Sequence, residues 1–178
     1  MGNKGWTHDE DLDMENVSTE PPPPVPVDIY AFEVVKAEPE ETKEKKPAVR
    51  LQLALKAVHG GPDGELPGGI PDRKMFDKVP VTKESAFRVK RLAAALGVDP
   101  PKRTSFEEIE AFCQAACGQR GYLRSKLDTY QGKTNHKVDD YFTADDAGKA
   151  HAALHGGATA GDAASGDAAP ARRSRRAG

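Results

Sequence analysis

From Val49 to Ala57 apolar and polar positions alternate: Val49, Leu51, Leu53, Leu55 and Ala57 take every second place, with Arg50, Gln52, Ala54 and Lys56 between them. A period of two is the mark of a strand with one face buried and the other turned to water. Such a strand is stable only with partner strands beside it and an apolar layer against its buried face. The rest of the chain must supply both.

Candidate partners are legible on either side. Val27 to Ala37 is rich in β-branched and aromatic residues and follows a proline run that no helix can continue, which predicts a first strand. Glu38 to Pro47 is charged and bounded by Pro39 and Pro47, so it reads as a loop. A glycine and proline loop from His59 to Pro71 leads to a third strand over Arg73 to Pro80. From Lys83 the period becomes helical, with Ala86, Val89, Leu92, Ala93 and Leu96 on one face and Gly97 as the stop. Ser105 and Glu108 have the spacing of a capping box before a second helix, whose stripe is Phe106, Ile109, Phe112, Cys113 and Ala116, with Gly118 ending it. Cys113 and Cys117 read as small buried hydrophobes on that helix. Gly121 to Tyr130 and Lys133 to Phe142, joined by Gln131-Gly132, predict a closing hairpin.

The charge map divides the chain. Residues 1–26 hold six acids against Lys4 and end in a proline run, predicting a disordered acidic arm. Residues 144–178 contain 13 Ala and 6 Gly and close on Arg172-Arg173-Ser174-Arg175-Arg176, predicting a flexible tail with a basic end. The core, 27–143, carries 20 Lys and Arg against 18 Asp and Glu, so the net charge of -2 belongs to the arm and does not argue against a polyanionic partner. No apolar run approaches the roughly 18 residues of a membrane span, and the first residues lack a signal-peptide pattern. An intracellular protein is expected.

Five short strands with one or two helices between the third and fourth predict a mainly β fold with inserted helices, of the α+β class, and in particular a five-stranded barrel of the OB type. The closing hairpin interleaves aromatic and basic residues: Tyr122, Arg124, Lys126, Tyr130, Lys133, His136, Lys137 and Tyr141. Bases of a single strand stack on aromatic rings and phosphates attract Lys and Arg, so this is the composition of a sequence-tolerant nucleic-acid surface. Arg50 and Lys56, with Gln52 between them, extend it if the polar faces coincide. The plainer alternative is that the tyrosines cover the core and the bases keep an edge soluble. Phe32 and Phe76 are expected in the core as large apolar fillers.

Pro26-Val27-Asp28-Ile29-Tyr30, the Leu51 to Leu55 strand, the glycine loop leading to Arg73-Lys74-Met75-Phe76-Asp77, the helix ending Leu96-Gly97, and Gly132-Lys133-Thr134-Asn135 before Val138 occur in an order that resembles the phage-encoded single-stranded-DNA-binding proteins of OB-fold type. The resemblance spans about residues 20 to 142. It implies coating and protection of single-stranded DNA during phage replication or recombination, in the cytoplasm of a bacterial host, with replication or recombination proteins as partners and a homo-oligomer left open. Many such proteins end in an acidic tail, whereas here the acids are N-terminal. An acidic arm that competes with DNA for the basic face, and a basic tail that adds phosphate contacts, follow as expectations, beside the alternative that both ends only solubilise.

Other chemistry finds little support. The histidines stand at 8, 59, 136, 151 and 155, without a nucleophile or carboxylate at motif spacing, so no enzyme and no cofactor is expected. His151 and His155 have the i, i+4 spacing of helical metal ligands, but their Ala and Gly surroundings predict a solvated tail, and no metal site is assigned. Asp139 and Asp140 fall on opposite faces of a strand unless a bulge intervenes. Gly60-Gly61-Pro62-Asp63-Gly64 lacks the Gly-Lys-Ser/Thr of a phosphate loop and reads as a turn. The remaining rival is a non-enzymatic adaptor or virion component that binds protein through the same barrel.

Overall fold

The computed structural model describes residues 23–69 and 72–156. In chain order these form β1 (Ile29–Glu41), β2 (Pro47–Val58), β3 (Lys74–Pro80), α1 (Ala86–Leu96), α2 (Phe106–Ala116), β4 (Arg120–Tyr130), β5 (Lys133–Phe142) and α3 (Ala144–His155). All strand pairs are antiparallel, and the sheet runs β3-β2-β1-β4-β5. The class is therefore α+β and mainly β, with two helices between β3 and β4 as expected.

The outer strands of this order, β3 and β5, share no ladder among the described residues, but side chains bring them together. The Tyr141 hydroxyl on β5 donates to Asp77 Oδ2 on β3 at 2.6 Å. Arg88 of α1 donates to the same oxygen at 2.8 Å and to the carbonyls of Val138 and Asp139 on β5, both at 3.1 Å. The open sheet thus curves until its edges face each other across one guanidinium. Inside the curve lie Tyr30, Phe32, Leu51, Leu53, Leu55 and Leu123, with Val89, Leu92 and Leu96 of α1 and Ile109 and Phe112 of α2 in the same core.

Several local expectations are met for the reasons given. Val49, Leu51, Leu53, Leu55 and Ala57 are all buried. Gly97 ends α1 in the left-handed region at φ 68°. Gln131 and Gly132 both have positive φ, 50° and 76°, which is the two-residue hairpin turn whose twist matches the flanking strands.

Others need correction. The stretch 38–47 is mostly strand: β1 continues to Glu41, with Pro39 opposite Val49, and only Thr42 to Lys46 turn. Proline is tolerated there because β4 pairs with β1 only over Ile29 to Glu33, leaving the later half of β1 with a ladder on one side. The capping box is half made: Ser105 Oγ accepts from the Glu108 N–H at 3.4 Å, while the Glu108 carboxylate accepts from Lys102 N–H instead. Phe106 lies off the buried stripe and is exposed. Cys113 is buried, and burial pushes its thiol up to about 12, but Cys117 is exposed. Val25, assigned to the arm, is only 2% exposed and belongs to the core. Residues 144–155, assigned to a flexible tail, form α3; residues 1–22 and 157–178, which hold the rest of the arm and tail, lie outside the described residues.

Candidate nucleic-acid interface

The strand β3 alternates. Met75, Asp77 and Val79 turn inward, while Lys74, Phe76 and Lys78 turn outward. Register places Phe76 opposite Gln52 and Lys78 opposite Arg50, so these four share one outer face of β2 and β3. Phe76 is 61% exposed, which contradicts its assignment to the core. The reason is the pleat: Met75 and Val79 already fill the inner positions, and Asp77 is drawn inward by Arg88 and Tyr141.

Across from this face stands the β4–β5 hairpin. Lys126 and Lys137 are directly opposed in register, so their side chains leave the same face. They join Arg50, Phe76 and Lys78 in lining a groove of about 740 Å³. A smaller depression of about 100 Å³, lined in part by Lys36 and Gln52, shares Arg50 and Phe76. An exposed ring therefore lies among bases contributed by all five strands.

Most of these bases have acidic partners. Lys78 pairs with Glu40 at 3.0 Å, Lys126 with Asp139 at 3.3 Å, and Lys137 with Asp128. The hydrogen bond from Lys137, then its charge, holds the Asp128 carboxyl below its ordinary range. Burial pushes Asp139 up, but hydrogen bonds and charge from Arg124 and Lys126 outweigh it and leave that carboxyl low as well. Arg50 makes no ion pair among the described residues. Exposed pairs of this kind contribute about 0 to 1 kcal/mol each, so a polyanion can exchange places with the carboxylates at little cost.

The residues singled out from the sequence divide accordingly. Arg50, Lys126 and Lys137 line the groove. Tyr130 and Lys133 oppose each other at the hairpin tip, where Tyr130 is 70% exposed. Arg124 lies two residues before Lys126 on β4 and shares Asp139 with it, with its guanidinium over the Phe142 ring at 5.8 Å.

The other four lie elsewhere. Tyr141 is 2% exposed and packs edge-on against Phe32 in the core. A bulge causes this: Arg124 pairs with Asp140 but Ser125 with Val138, so Asp139 is an extra residue and every later position in β5 changes face. Tyr122 is half-buried, with its ring 5.4 Å from that of His59. His136 opposes Leu127 on the face of Val138, opposite to Lys137, and its Nδ1 accepts a long 3.5 Å bond from Val25 N–H. Burial, then the nearby Arg73 charge, lowers its pKa. Lys56 is occupied by Asp72 at 2.7 Å and Glu33 at 3.5 Å and does not line the groove.

Phe76, Lys78 and Arg88 line the groove without having been singled out from the sequence as binding residues. For Phe76 and Lys78 a signal was present. Strict alternation through Lys74-Met75-Phe76-Asp77-Lys78-Val79 would have found them, because it puts the ring between two lysines. Despite the bulge, Asp139 and Asp140 do not converge: Asp139 takes Arg124 and Lys126, and Asp140 takes Arg91. Among the described residues the one His and carboxylate cluster with metal-ligand spacing is Asp28 with His151 and His155, outside the groove lining. Neither a protein-family model nor a curated protein sequence matches the chain.

Proposed function

We propose that the chain binds single-stranded nucleic acid, DNA foremost, without sequence preference, and that its curved sheet acts as a five-stranded barrel of the OB type. The observation that carries this reading is Phe76, a large ring 61% exposed in a groove whose walls supply Arg50, Lys78, Lys126 and Lys137. OB-type barrels bind oligonucleotides on the face of their second and third strands and on the loop between the fourth and fifth. The groove is lined by residues of β2 and β3 and of the β4–β5 hairpin, which supports this reading.

In this mechanism a base stacks on Phe76, which contributes roughly 1 to 3 kcal/mol regardless of base identity. Phosphates on either side meet Arg50 and the paired Lys126 and Lys137, displacing Asp139 and Asp128. Tyr130 at the hairpin tip offers a second ring. Nothing in this process breaks a bond, so the protein acts as a binder and protector of exposed strands rather than as an enzyme. A place in phage replication or recombination follows if the ordered resemblance in the sequence reflects ancestry.

Titration of fluorescent oligo-dT and duplex DNA at about 50 and 200 mM salt tests the reading. Oligo-dT should bind more tightly than duplex and weaken about tenfold or more across that interval, as released counterions require. An absence of binding to oligo-dT at the lower salt would overturn it and favour a protein-binding adaptor.

A further inference from the structure

Helix α3 has little apolar hold on the sheet: Ala147 is its only buried residue. What it does carry is a pair of imidazoles four residues apart, on one face of the helix. Both approach the residue that precedes β1. The His155 Nε2 is 3.0 Å from Asp28 Oδ1, and the His151 Nε2 is 3.8 Å from the same oxygen. The donor atoms of the three residues lie within 4.8 Å of one another.

A hydrogen bond accounts for His155 but not for a second imidazole converging on the same oxygen. A tetrahedral zinc ion with bonds of about 2.0 to 2.1 Å sets its donors about 3.3 Å apart, and the two observed separations straddle that value. Two imidazoles and one carboxylate also match the donor preference of zinc and its first-row neighbours, whereas calcium and magnesium take oxygen. Among the described residues no lysine or arginine pairs with Asp28; its Oδ1 accepts the Ile29 N–H at 2.7 Å and otherwise faces the two histidines.

The ligands are held in place. Asp28 N–H donates to Ser125 Oγ at 3.0 Å, and the Ser125 N–H donates back to the Asp28 carbonyl at 3.0 Å. Ser125 is 1% exposed, which fixes the backbone that presents the carboxylate. The His151 ring lies between two others, 5.1 Å from His59 and 4.5 Å from His155. His59 in turn leans on Gly148, where a side chain would come within 3.9 Å of its ring.

We propose that Asp28, His151 and His155 bind one divalent transition-metal ion of the zinc class, with solvent completing the coordination, and that the ion clasps α3 to the start of β1. The site is independent of the groove, so it stands or falls apart from DNA binding. Coordination would tie the segment after β5 to the sheet, a task for which one buried alanine is a weak anchor.

The test uses the full chain without an affinity tag. Titration with cobalt chloride should give visible d–d bands saturating at one ion per chain, and zinc chloride should displace them. His151→Gln, His155→Gln and Asp28→Asn should each weaken zinc binding at least tenfold, while His136→Gln leaves it unchanged. Zinc should also slow amide exchange over residues 147–155 in the wild type but not in His155→Gln, a change at a half-exposed side chain that leaves the core intact. Stoichiometric binding that survives both histidine changes, binding no tighter than millimolar, or exchange in α3 that zinc does not alter would each overturn the proposal.

Discussion

Phe76 and Tyr141 are strand aromatics placed contrary to expectation, one by following the pleat and the other by breaking it. Phe76 stays in phase with Lys74 and Lys78 and ends outside, while the bulge at Asp139 turns Tyr141 inward to Asp77. Phe76→Ala should therefore weaken oligo-dT binding by roughly 1 to 3 kcal/mol with no loss in the urea midpoint. Tyr122→Ala should do the reverse, lowering the midpoint through its contact with His59 while leaving affinity nearly intact. Equal affinity losses in the two would place the site elsewhere. His136 yields a prediction with a definite sign. Because burial and Arg73 hold its folded pKa below the unfolded value of about 6.5, the unfolded chain takes up a proton first as pH falls. Its contribution to stability is complete above about pH 6.5 and is lost as pH falls from there towards the folded pKa. Urea midpoints at pH 7.5 and 5.5 should differ less in His136→Gln than in the wild type; an unchanged difference would show that other groups set the slope.

The elements that were legible are those whose side chains repeat: β2 and α1 announce themselves by period, and the hairpin by its two-residue turn. Those that were missed lack a repeat. The second half of β1 is charged and contains Pro39, and it is strand because β2 supplies a ladder and a proline needs none on the other side. Helix α3 has one buried residue and hence no stripe to read. Helix α1 approaches β4 closely at Gly121. A Cβ on Gly121 would come within 2.9 Å of the Ala95 carbonyl oxygen and 3.1 Å of Phe32 Cζ. One obstacle is helix backbone and the other a fully buried ring. Gly121→Ala should thus destabilise the fold by about 1 to 3 kcal/mol in urea denaturation; a neutral result would mean that α1 shifts freely on the sheet.

At the scale of the molecule, charge is segregated along the chain: the acids that make the total negative precede residue 21, and the groove lining carries five bases against two acids. The expectation that the arm competes with DNA now has a better boundary, because Val25 is core and must be kept. Deleting residues 1–22 should tighten oligo-dT binding at low salt, with the gain disappearing at about 1 M, where the Debye length is about 3 Å. Equal affinity of the two chains at low salt would reject competition. The sequence by itself determined the α+β class, the number and order of the core strands, the helices between β3 and β4, and the fact that the negative sign lies outside the core, since each is a local or additive property of residues. Only the tertiary structure decided which face each aromatic takes after a bulge, which lysines are occupied by carboxylates, and that Asp28 meets His151 and His155. Those depend on register and on contacts between residues as many as 127 positions apart, which no local pattern encodes.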